Sequence, residues 1–217
     1  MDKPKTSQGN PLDKEKIYEI LFVFMDNVLF QYKPLTNERG EDKITQDLTL
    51  FLNKEVQVNN TSFAFVNQYK ERNSTADIGV CLISNHECFC WVETKRLPTP
   101  NGKDRDEREY VIVSQEKENG KKKFSGNGGI QRFKEGKHAP GLPYSIMIGY
   151  IQDNNNVDYW FFKINSWITE LVNVDNSFWN NGDCLSKYVS NKCDRFLSIH
   201  KRKDETTITL HHYWIKL

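Results

Sequence analysis

Apolar residues at spacings of three and four, Ile17, Leu21, Phe24 and Val28, predict a helix over 12–32 that lays one face on a core; Pro34 ends it. After a polar turn at 37–40, Ile44, Leu48 and Leu52 predict a second helix. Glu41 lies one turn ahead of Ile44 on the same side, so its carboxylate can point inward. Strand character follows at 63–69, 77–84 and 88–97, the last two joined through Asn85-His86-Glu87 as a hairpin. Residues 98–128 are polar apart from a brief apolar stretch at 110–113 and predict a long exposed excursion. Beyond it the pattern predicts a helix at 129–138 with Ile130 and Phe133 on one face, then a strand at 145–151 buried on both sides. A helix at 158–172 presents a core stripe of Trp160, Ile164, Trp167, Ile168 and Leu171, and a closing hairpin pairs 195–201 with 206–217. Helix followed by buried strand places the chain in the α/β class, as one domain over 12–217 behind a disordered tail at 1–11.

Composition narrows the partners. The 217 residues are 37% hydrophobic and 12% aromatic, enough for a sizeable core. With 30 basic and 29 acidic residues the net charge is +1, so any surface for a polyanion must be a local patch. The five cysteines are odd in number, and Cys88-Phe89-Cys90 is too closely spaced for a zinc site, which favours buried free thiols. The first ten residues lack the apolar stretch of a signal peptide, and the early apolar run at 20–25 is too short to span a bilayer, so a reducing cytoplasm is expected. The sequons at Asn59, Asn60 and Asn73 then carry no argument for glycosylation.

Candidate chemistry centres on Asp77 and the stretch Glu93-Thr94-Lys95, both set in apolar strands. A carboxylate there is costly unless paired, and a divalent cation is one such partner. Strand alternation puts Glu93 and Lys95 on one face, about 7 Å apart, with Asp77 able to join them from the neighbouring strand. Phosphodiester hydrolysis needs an ion to polarise water and positive charge to offset what builds on phosphorus. Magnesium is satisfied by one or two carboxylates and waters, so Asp77, Glu93 and the main-chain carbonyl of Thr94 suffice, with Lys95 placed to orient or deprotonate the attacking water. A plain salt bridge between Glu93 and Lys95, with Asp77 as a turn residue, stays open on spacing alone. His200, His211 and His212 have no nearby ligand set and read as structural.

Asp77, the hairpin after it and Glu93-Thr94-Lys95 resemble the metal-binding signature of the PD-(D/E)XK nuclease superfamily. Glu41-Asp42 on the upstream helix resembles the helix that in many members supplies another acid. The stretch Gly129-Ile130-Gln131-Arg132-Phe133 with the strand Ile146-Met147-Ile148-Gly149-Tyr150 looks like the helix and fourth strand that close the core, Gln131 standing at the auxiliary polar position. Ser198-x-His200-x-Arg202 with Leu210-x-His212 is similar to the ending of some small members. Ala76 stands where the family name has proline.

The resemblance implies a restriction-endonuclease-like core, a mixed central sheet flanked by helices, with an added C-terminal helix and β-hairpin. It also implies a Mg2+-dependent endonuclease acting on DNA, Mn2+ able to substitute, with a defence or mobile-element role. Asp77, Glu93, Lys95, Glu41 and Gln131 would then be the catalytic set. The alternative is a non-catalytic module that keeps the fold to grip nucleic acid or a protein. No membrane partner is expected, and a homodimer is left open.

Lys121, Lys122, Lys123, Arg132, Lys134 and Lys137 form the densest basic cluster and are the expected phosphate contacts. Replacing Lys121, Lys122 and Lys123 with Ala should weaken DNA binding equally for all sequences and flatten its salt dependence by roughly 0.9 in log-log slope per lost contact. Titrations at several salt concentrations read this directly, and an unchanged slope would place DNA elsewhere.

Overall fold

The computed structural model describes residues 14–35, 40–71, 74–101, 106–116, 122–124, 128–175, 178–189 and 192–217; the tail expected at 1–11 lies outside them. Helices α1 (Lys14–Val28) and α2 (Glu41–Asn59) precede strands β1 (Phe63–Glu71), β2 (Ser74–Leu82) and β3 (Cys88–Leu97). A short pair, β4 (Ser114–Glu116) and β5 (Lys122–Phe124), leads to α3 (Gly129–Lys134), β6 (Tyr144–Ile151) and α4 (Val157–Val174). Strands β7 (Ser186–Tyr188), β8 (Arg195–Lys201) and β9 (Thr207–Lys216) close the chain. Seven strands form one mixed sheet in the order β1-β2-β3-β6-β9-β8-β7, with β3, β6 and β9 parallel at its centre and antiparallel pairs on either side.

Burial follows from that layout. Central parallel strands are covered on both faces, and β6 is buried from Ser145 to Ile151. One face carries α1 and α2: Leu21, Met25, Leu48 and Leu52 pack on Phe63, Ile78, Val92 and Ile148. The other carries α3 and α4, where Ile130, Phe133, Trp160 and Trp167 meet Trp91, Met147 and Trp214. Among the described residues no helix is long and apolar enough to cross a membrane.

Several boundaries differ from the pattern. The excursion after β3 is not exposed throughout, because Tyr110, Val111 and Ile112 are buried in the second core. The carbonyls of Glu109, Tyr110 and Val111 accept from the amides of Gly129, Ile130 and Gln131, capping the start of α3. Contact is that close because Gly128 and Gly129 lack side chains: a Cβ on Gly128 would lie 2.2 Å from the Ile112 backbone. Helix α3 ends at Lys134, four residues before the expected limit, and Gly136 continues at φ +71° in the left-handed region. Thiols are free as expected, but Cys88, Cys184 and Cys193 are only half-buried.

Leu48→Ala, at a fully buried position of α2, should cost about 2–5 kcal/mol of unfolding free energy, whereas exposed Leu50→Ala should stay within about 0.5 kcal/mol. Urea denaturation of both variants checks the assigned inner face of the helix.

Candidate functional site

Strands β2 and β3 pair from Cys81/Cys88 to Ile78/Val92, with a register shift between Val80 and Cys81, and the pairing stops at Ile78/Val92. Past that point the Asp77 side chain takes over the bridging role: its Oδ2 accepts from the Thr94 amide at 2.7 Å and from Thr94 Oγ1 at 2.9 Å. Thr94 Oγ1 also meets Thr45 Oγ1 at 2.9 Å, which ties α2 to the same spot. Next to it, the Lys95 ammonium donates to Glu93 Oε1 at 2.8 Å and to the Thr94 carbonyl at 2.9 Å, and lies 3.6 Å from Glu41 Oε1. Glu41, in the first turn of α2 where an acid suits the helix dipole, also accepts from the Arg96 amide at 3.2 Å. Glu93, Lys95 and Glu41 therefore form one ion-pair cluster, and Asp77, bound to the intervening Thr94, lies close enough to feel the Glu93 and Lys95 charges.

Glu93 is 1% exposed and draws a second set of partners from the α3 side. Arg132 donates to its Oε1 at 3.1 Å, and His138 Nδ1 lies 3.3 Å from its Oε2, off the line of a hydrogen bond. His138 sits edge-on to Trp91 and Phe133. Burial, then the neighbouring Arg132 charge, pushes its pKa down to about 3, so it stays neutral beside the acid. Gln131 is also buried, but its amide donates to Glu135 at 3.1 Å rather than to an acid of the site.

Charge in the cluster is uneven. Burial raises the Asp77 pKa, and the Glu93 charge adds to it; Lys95 and the two Thr94 hydrogen bonds oppose this without cancelling it. Burial likewise raises Glu41, with Lys95 pulling back. Burial alone would lower Lys95, but the carboxylates of Glu93, Glu41 and Asp77 outweigh it and hold the amine protonated.

The remaining expected contacts separate. Lys134 is fully buried against Asp183 at 2.7 Å and so cannot meet a phosphate; Arg132 turns inward to Glu93; Lys137 is exposed, 2.6 Å from Glu135. Lys121 lies outside the described residues, as do the side chains of Lys122 and Lys123.

Lys134 anchors one end of a buried hydrogen-bond chain. Trp214 Nε1 donates to the Tyr110 hydroxyl, Tyr110 meets His212 Nδ1, His212 Nε2 meets Ser198 Oγ, Ser198 Oγ meets His200 Nε2, and His200 Nδ1 meets Asp183 Oδ1, all within 3.0 Å. One proton order satisfies every link: each neutral imidazole donates from one nitrogen and accepts at the other, as burial requires of both histidines. Ser198, His200 and Asp183 thus stand in the order of a hydrolase triad, but Ser198 is 2% exposed and already bonded on both sides, so the chain is structural. It fixes α3, and with it Arg132, over Glu93.

Sequence reasoning missed His138, Thr45 and Asp183. None lies at a spacing that relates it to Asp77 or Glu93; only the packing of α2 and α3 on the sheet brings them in. Compared with protein-family models, curated proteins and solved structures, the chain matches none.

For Asp77 and Glu41 the folded pKa lies above the unfolded one, so the folded state binds protons more tightly, and these groups cost stability once ionised. In chelator at neutral pH, Asp77→Asn should therefore raise the melting temperature. Lys95→Met, which leaves the buried Glu93 carboxylate short of a partner, should cost roughly 3–5 kcal/mol. Calorimetric melts of both variants decide, and a drop for Asp77→Asn would contradict the assigned burial cost.

Proposed function

We propose that the chain is a metal-dependent nuclease with a restriction-endonuclease-like core, hydrolysing phosphodiester bonds in DNA. The observation that carries this reading is the set of acids about one lysine: Lys95 holds Glu93 and Glu41, and Asp77 binds the intervening Thr94 where β2 and β3 part. The order of α2, three antiparallel strands, α3 and then β6 parallel to β3 supports it.

The donors suit a hard cation. All are oxygens, and Glu93 Oε2 is buried without a hydrogen-bond partner. Asp77, Glu93 and the Thr94 carbonyl would hold Mg2+ or Mn2+, which when bound polarises water and offsets negative charge on the phosphate. Lys95, held protonated, serves as a fixed positive charge and a donor that orients water, rather than as a base. Arg132 keeps Glu93 in place, and Gln131, bonded to Glu135, takes no direct part. Phosphate contact falls to Lys137 and to Lys121, Lys122 and Lys123.

A specific observation favours a second reading, a non-catalytic binding module on the same fold. The Lys95 ammonium engages Glu93 Oε1 and the Thr94 carbonyl, two of the three ion donors, and among the described residues no three His, Cys, Asp or Glu side chains converge as ligands. Plasmid cleavage in Mg2+ or Mn2+ separates the two readings. The parent should nick or linearise DNA, and Lys95→Ala and Asp77→Asn should each lose roughly 100–1000-fold in rate while still binding DNA. A parent that binds DNA, shows no heat of ion binding by calorimetry and cuts nothing would support the module instead.

A further inference from the structure

We propose that Cys81 and Cys88 are a redox modification site: a cross-strand dithiol that a hydroperoxide converts to a reversible intramolecular disulfide. The proposal is independent of the nuclease reading. Cys81 on β2 and Cys88 on β3 are register partners beside a bulge, where the step from Cys88 to Cys90 opposes the single step from Cys81 to Val80. Leu82, one residue nearer the hairpin turn, donates its amide to the Glu87 carbonyl and so holds the two strands together beside the cysteines. Facing residues of antiparallel strands have Cα atoms about 4.5–5.5 Å apart, within the roughly 4.4–6.8 Å that a disulfide spans.

Both thiols face one way. Gly79, two residues before Cys81 on the same face, has no side chain because the Tyr69 ring lies over it; a Cβ there would sit 2.5 Å from the ring. Tyr69 in turn feels both thiols, and burial followed by the Cys88 charge brings its pKa up to about 12. The two thiols affect one another: Cys88 lowers Cys81, while Cys81, followed by burial, raises Cys88, whose Sγ donates to the Cys90 carbonyl at 3.5 Å. Cys88 is half-buried, so the pair is open to a small oxidant, whereas Cys90 is fully buried in the opposite core.

The chemistry balances. One sulfur attacks the peroxide as thiolate and becomes a sulfenic acid, releasing an alcohol or water. The second sulfur attacks the first, forming the S–S bond and expelling water, so two thiols lose two hydrogens while the peroxide is reduced. The product would staple the strands that carry Asp77 and Glu93.

Treating the native full chain with hydrogen peroxide at neutral pH should lower its mass by two hydrogens, and dithiothreitol should restore it. Peptide mapping should join the Cys81 and Cys88 peptides. Cys88→Ser should abolish the bridge, while Cys90→Ser and Cys184→Ser should leave it. Should Cys88→Ser fail to fold, differential alkylation of the parent before and after oxidation gives the same answer, with protection expected at 81 and 88 alone. Sulfinic acid at Cys88 without a bridge, an intermolecular disulfide through Cys184 or Cys193, or native thiols left fully alkylatable would overturn the proposal.

Discussion

The Glu93 carboxylate is buried in the middle of the sheet, and the surrounding structure is arranged to make that tolerable. Removing such a charge from water costs several kcal/mol, which only close cations and well-placed donors offset. Lys95 approaches from the same strand and Arg132 from α3, while neutral His138, on the turn beyond it, lies beside Glu93 Oε2 without bonding to it. The amine is itself buried, and the acids around it keep it charged. Neither Glu93 nor Lys95 would be stable at this depth without the other.

Holding Arg132 at Glu93 requires α3 to be fixed, and six residues of helix cannot do that alone. Its start is docked on the 109–111 carbonyls, its Lys134 on Asp183, and Asp183 on the histidine chain that runs through β8 and β9 to Tyr110 and Trp214. The C-terminal hairpin thereby supports a site to which it contributes no side chain. Asp77 is held differently, by the amide and hydroxyl of Thr94 where strand pairing has ended. Its raised pKa marks a group whose position is costly when ionised.

Much of this was legible in the sequence because two periodicities carry it. Spacings of three and four located α1, α2 and α4, and the closing hairpin expected at 195–201 and 206–217 is β8 and β9. Asp77, Glu93 and Lys95 stood out because charge inside an apolar strand is rare. Residues 110–112 were misread, since three apolar residues within a polar stretch have no period from which burial could be inferred. Lys134 and Arg132 were misread because composition shows a basic run but not which members find acids; Asp183 and Glu93 are 49 and 39 residues away. His138 carried no pattern at all.

The proposed ion at Glu93 would compete for the same atoms as the ion pair seen there. Anomalous diffraction from a crystal soaked in Mn2+ tests this most directly. One peak about 2.1 Å from the carboxylates of Asp77 and Glu93 and the Thr94 carbonyl, with Lys95 Nζ withdrawn from Glu93 Oε1, is the expected result. A crystal without that peak, and with Lys95 still bridging Glu93 and Glu41, would contradict it.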